Sequence, residues 1–154
     1  MDKIKESNDT ETLGILGSIN KRIWRETHEP SYLDRAIEYY SKGWNIHKDY
    51  YTGENYAVCL LEKANNEIND EQIFYKIGAK KIFNQLIPII SRTLDIDDPD
   101  ELIWKYASLS NAYLAIHDKN NADKYEKEFL KQDPKKWEEK TFYETRDLLQ
   151  ALKF

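Results

Sequence analysis

Apolar positions recur at steps of three and four residues along almost the whole chain, the period of an amphipathic helix rather than of a strand. Leu13, Leu16, Gly17, Asn20, Ile23 and Trp24 mark the face of a first helix, which Thr10 or Thr12 is placed to cap. Leu33, Ala36, Ile37, Tyr40, Trp44 and His47 mark a second. Pro30 breaks the chain before it, and Ser31, with Asp34 three residues on, reads as its cap. Tyr56, Ala57, Leu60, Leu61 and Ala64 continue the pattern in a third helix, expected to begin near Glu54 after a turn from Lys48 to Gly53. A long fourth helix runs from about Glu71 to Leu94, and Pro88 inside it predicts a kink or a break. Ile103, Tyr106, Ala107, Ser110, Tyr113 and Leu114 give a fifth, Ala122, Tyr125 and Phe129 a sixth. Trp137, Thr141, Thr145, Leu148 and Leu152 give a seventh. The reading is therefore all-α, with short loops that make successive helices neighbours.

Internal periodicity favours a stack of hairpins over a simple bundle. Tetratricopeptide units carry a large residue, then small ones, then an aromatic at fixed offsets, because small side chains let two helices approach while large ones fill the gap beside them. Leu13-x2-Leu16-Gly17-x2-Asn20 followed by Ala36-x3-Tyr40 matches in part. Trp104-x2-Ala107-Ser108-x2-Asn111 followed by Ala122, Phe129 and Pro134 matches differently, and the middle unit is degenerate. The expected architecture is a tetratricopeptide-like right-handed stack of three helical hairpins closed by a C-terminal capping helix. It forms one domain over residues 10–154, after a polar tail over residues 1–9 that is expected to be disordered.

Charge and composition narrow the function. The 23 basic and 28 acidic residues give a net charge of −5 and a pI near 5.3, which argues against nucleic acid or an anionic membrane as partner. No apolar run is long enough to span a bilayer, and the polar start MDKIKESNDTE lacks the core of a signal peptide, so a soluble, cytoplasmic protein is expected. The single cysteine, Cys59, falls in the apolar run from Ala57 to Leu61 and reads as a buried, inert thiol.

Catalytic and metal signatures are missing. His28, His47 and His117 fall at expected helix ends and outside any metal-binding spacing. Asp95 and Asp97 alternate as in a calcium loop, but the glycine and the closing glutamate of such a loop are absent. No nucleophile elbow, phosphate-binding loop, dinucleotide fingerprint or CxxC pair occurs. No enzyme, cofactor or metal centre is expected.

One stretch stands apart from helix periodicity. Glu11-Thr12-Leu13-Gly14 with Gly17 and Trp24, the helix Ala36-Ile37-x-x-Tyr40-x-x-Gly43, and above all Tyr50-Tyr51-x-Gly53-x-Asn55-x-Ala57 combine residues that helix packing alone does not demand. This region resembles the tetratricopeptide-like TRAF-binding domain of the apoptosis signal-regulating kinases, a group of mitogen-activated kinase kinase kinases, and the similar domain found in bacterial proteins. The resemblance implies a helical regulatory and scaffolding module without catalytic residues of its own. Within the motif Gly53 is expected to permit a backbone turn, and Asn55 to bond neighbouring backbone at the helix start.

In tetratricopeptide folds the first helix of each pair lines the concave face. By that analogy Lys21, Arg25, Tyr51, Glu54, Lys105 and Leu109 are candidate partner contacts, and the cluster Lys21, Arg22 and Arg25 suits an acidic peptide. The leading expectation is a protein or peptide interaction module, regulatory in a signalling or defence system. The alternative is a sensor whose helical groove binds a small, nucleotide-like ligand. An open groove lined with exposed side chains marks the first, and a closed pocket with a few inward polar groups marks the second.

Overall fold

A computed structural model describes residues 8–95 and 98–153. The chain forms seven helices among them: α1 (Thr10–Thr27), α2 (Pro30–His47), α3 (Tyr50–Asn65), α4 (Asn69–Ser91), α5 (Pro99–Ala115), α6 (Lys119–Lys131) and α7 (Lys136–Ala151). No strand occurs among the described residues. The expected tail lies mostly outside the described residues, but Asp9 is placed, and it rather than Thr10 or Thr12 caps α1 by accepting from the Thr12 amide.

Consecutive helices pair as α1–α2, α3–α4 and α5–α6, and each hairpin packs on the next through α2–α3 and α4–α5. The first two corners are built alike. His28 and Lys48 adopt left-handed backbone (φ 56° and 53°), and their amides close onto the Trp24 and Trp44 carbonyls. An extended acidic residue, Glu29 or Asp49, then starts the next helix. Ser31 therefore caps nothing: Pro30 already occupies the first turn of α2, where its missing amide costs no hydrogen bond.

The stretch expected to be a turn after Lys48 is helical from Tyr50 onward, because Asp49 accepts from the Thr52 amide and supplies the cap. Gly53 consequently has no turn to make. It is buried within α3, and a Cβ there would lie 2.5 Å from Trp44 Cε3, so glycine is what allows α2 and α3 to approach. Gly17 plays the same part between α1 and α2, facing the Tyr40 ring. Helix α4 runs through Pro88 to Ser91 without the expected break. The proline sits in the last turn, where few following residues depend on its geometry.

The main core joins the hairpins. Trp44, Leu61, Phe83, Leu86, Ile90, Leu109 and Leu149 meet there from five helices. Burying each such side chain contributes about 1.5–3 kcal/mol. The last helix, α7, buries Thr145 as expected, with Leu152 buried just beyond its end, but its core face turns towards Phe142, Arg146 and Leu149, leaving Trp137 and Thr141 exposed. It packs on α5 and reaches α3. Arg146 anchors it, donating one hydrogen bond to Ser110 and pairing with Glu126 and Asp123. Through Glu144 it also meets Arg25 of α1. It thus caps the last hairpin and at the same time lies across the face formed by α1, α3 and α5. No described helix is long and apolar enough to cross a membrane.

Candidate functional site

Helices α1, α3 and α5 are the first members of the three pairs, and α7 covers part of the face they share. What remains between them is a partly enclosed cavity of about 230 Å³, lined by Lys21 of α1, Tyr50, Tyr51, Glu54, Asn55 and Val58 of α3, Trp104 of α5, and Thr141 and Thr145 of α7. Four helices contribute to it. The stretch Tyr50 to Val58 lines it because α3 begins early, so that positions 50, 51, 54, 55 and 58 fall on one helical face.

Lys21, Glu54 and Asn55, which line it, are half-buried, and Ser108 behind Glu54 is fully buried. Lys21 Nζ donates to Asn55 Oδ1 at 3.1 Å, and Asn55 Nδ2 donates to the Tyr51 carbonyl at 2.9 Å, fixing the amide's orientation. Ser108 Oγ of α5 donates to Glu54 Oε2 at 2.5 Å. Burial lowers the Lys21 ammonium's pKa below its ordinary value, an effect that Glu54 and Glu62 only partly oppose. Burial likewise raises the Glu54 carboxyl, although the Ser108 hydrogen bond and Lys21 pull it back. Removal from water wins over pairing for both groups.

A second, more open cavity of about 190 Å³ adjoins the first and shares Lys21, Tyr51 and Asn55 with it. Its other walls are Ser18, Arg22, Arg25 and Tyr40. Arg25 also pairs with Glu62 at 3.6 Å, whose carboxyl is raised by burial and drawn back by Arg25. The two cavities together form an aromatic chamber and a basic vestibule joined at Lys21.

Of the residues singled out in the sequence, Lys21, Tyr51 and Glu54 come together in the chamber, and Arg25 stands at the vestibule. Two do not join them. Lys105 is buried beside α4, donating to the Thr93 carbonyl at 3.0 Å and pairing with Glu101. Leu109 is wholly buried in the main core. The motif Tyr50-Tyr51-x-Gly53-x-Asn55-x-Ala57 divides by helical face: Tyr50, Tyr51 and Asn55 line the chamber, while Gly53 and Ala57 pack into the core. Ser108, Trp104, Thr141 and Thr145 escaped notice as site residues. Trp104 and Ser108 had a signal, since both fall in the repeat match of α5, and Thr141 and Thr145 fall on the face expected for the seventh helix. His28, His47 and His117 stand apart at helix ends, and no group able to hold a metal ion occurs among the described residues.

A family model described as Tetratricopeptide Repeats-Sensor matches residues 1–60, which contain α1, α2 and the beginning of α3. The fold is thus a tetratricopeptide-like helical repeat, and its class is that of interaction or sensing modules. Comparison with curated proteins and with solved structures finds no match.

Proposed function

We propose that the chain is a sensor domain that binds a small anionic, nucleotide-like ligand where α1, α3, α5 and α7 meet. The observation that carries this reading is Lys21, half-buried where an aromatic chamber meets a basic vestibule, with its Nζ donating to the neutral Asn55 amide. A planar ring of the ligand stacks among Trp104, Tyr50 and Tyr51, where rings give contact area at little entropic cost. Glu54 and Asn55 accept from and donate to its polar edge, and its anionic group meets Lys21 with Arg22 and Arg25 behind. The description of the matching family as a sensor supports the same reading.

The placement of α7 speaks against a long peptide as the occupant of this face, because the helix already fills much of the groove such a peptide would need. The domain itself works without catalysis, converting ligand occupancy into a change at α7, which Thr141 and Thr145 tie to the chamber.

A thermal-shift panel of nucleoside mono-, di- and triphosphates and dinucleotides tests the proposal. A member that raises the melting temperature of the wild type, but not of Lys21→Met, supports it. A panel without effect on the wild type, or a shift that Lys21→Met retains, contradicts it.

A further inference from the structure

Helix α4 carries the largest run of exposed apolar side chains among the described residues, on the side of the stack away from the chamber. Ile73, Phe74 and Ile77 are 53%, 70% and 63% exposed, although α4 buries Ala79, Ile82, Phe83, Leu86 and Ile90 on its other side. A helix with one face in the core has no internal use for a second apolar stripe. Asp70, Phe74, Ile77 and Lys81 recur at steps of four, three and four, the spacing of the seam between two packed helices. All four are exposed.

The order of charges along that seam is what selects the occupant. An acidic residue precedes the apolar pair and a basic one follows it. A helix with this sequence is complementary to itself run antiparallel, about a twofold axis crossing between Tyr75 and Lys76. Phe74 then meets the partner's Ile77, and Asp70 meets the partner's Lys81, each contact occurring twice by symmetry. Ile73 lies under the aliphatic stem of the partner's Lys80.

We infer that the exposed face of α4 is the interface of a homodimer, in which α4 packs antiparallel against α4 of a second copy through Phe74, Ile77, Asp70 and Lys81. The local electrostatics agree. The neighbouring Glu71 carboxyl is the main cause of the raised Glu67 carboxyl. The N-terminal end of α4 is thus a concentration of negative charge that a second copy's lysines relieve. A membrane surface fits less well, because Asp70, Glu67 and Glu71 flank the apolar residues and would face anionic headgroups.

Sedimentation velocity on the whole chain over a concentration series tests the inference, with folding of every variant checked by circular dichroism. The wild type is expected to pass from monomer to dimer, and Phe74→Asp to weaken the dimer at least roughly tenfold. Asp70→Lys and Lys81→Asp each weaken it, and the chain carrying both changes recovers it, as does a mixture of the two single variants. A wild type that stays monomeric up to about 0.5 mM overturns the inference. So does a dimer that survives Phe74→Asp, or charge reversals that fail to rescue one another. None of these variants lies near the chamber, so the outcome is independent of ligand binding.

Discussion

The Glu54 carboxylate on α3 takes a hydrogen bond from Ser108 Oγ on α5, 2.5 Å away, and this bond crosses between two hairpins at the edge of the chamber. Ser108 is fully buried. Ser108→Ala therefore takes from a half-buried carboxylate its donor on α5, and is expected to cost about 1 kcal/mol where Glu54 is ionised. The sign with pH follows from Glu54. Its raised pKa means that folding favours the protonated form, and the Ser108 bond partly offsets this by holding the charged one. The loss in Ser108→Ala should be largest above the raised Glu54 value and shrink as pH falls through it towards the ordinary carboxylate range; urea denaturation over a pH series down to about pH 4 reads the difference.

Lys21 should show the opposite face of the same economy. Its pKa is depressed by burial, so its contribution to stability is present above the ordinary lysine value and is lost as pH falls through the depressed one. Below that range the charged side chain is a burden on the unliganded protein. Lys21→Met is expected to raise the melting temperature while abolishing ligand binding, the exchange of stability for function that buried charges in binding sites impose. A Lys21→Met protein less stable than wild type would mean that the ammonium is held better than Asn55 alone can hold it.

Gly53→Ala places a methyl group against the Trp44 ring, with the Leu86 side chain 3.0 Å away on the other side. Neither neighbour has room to withdraw, since Trp44 and Leu86 are both buried. The substitution is expected to cost about 1–3 kcal/mol and to shift tryptophan fluorescence. A neutral result would mean that α2 and α3 slide apart freely.

Arg146 is the anchor of α7, 8% exposed and bonded to Ser110, Glu126 and Asp123 while its guanidinium lies over the Phe142 ring. Removing it leaves the Ser110 hydroxyl and two carboxylates short of a partner. Arg146→Ala is expected to destabilise by about 2 kcal/mol and to make α7 the first site of limited proteolysis. Cleavage elsewhere would show that α7 is held mainly by Phe142 and Leu149.

Cys59 reports on the core without disturbing it. Its thiol is buried and pushed up to about 11 by that burial, so it stays protonated at neutral pH. Thiol-reactive dye should label the protein only as fast as it unfolds.

Most of the fold was legible in the sequence because helix periodicity is local: each of the helices read from it exists, and α2 ends at His47 as expected. Boundaries were lost where two local signals competed. Gly53 reads as a breaker, yet in α3 it answers to the Trp44 ring, a contact no local rule anticipates. Ser31 reads as a cap, but Pro30 one residue earlier had already set the helix start. The site was half legible. Lys21, Tyr51 and Glu54 were reachable by analogy with the inner helices of a repeat stack, and the same analogy placed Lys105 and Leu109 on a groove that they do not face. What decides the shape of the site is α7 folding back across α1, α3 and α5, and long-range packing of that kind leaves no spacing pattern to read. Thr141 and Thr145 were read on the face of the last helix, and only its placement brings them to the cavity.

The most direct measurement is a titration of nitrogen-labelled protein with the nucleotide that gives the largest thermal shift, or with adenosine monophosphate if none does, followed by amide and indole spectra. The account expects saturable changes at Lys21, Glu54, Asn55, Thr141, Thr145 and the Trp104 indole, all absent in Lys21→Met. Spectra that do not move, or that move only on α4 and α6, would contradict it.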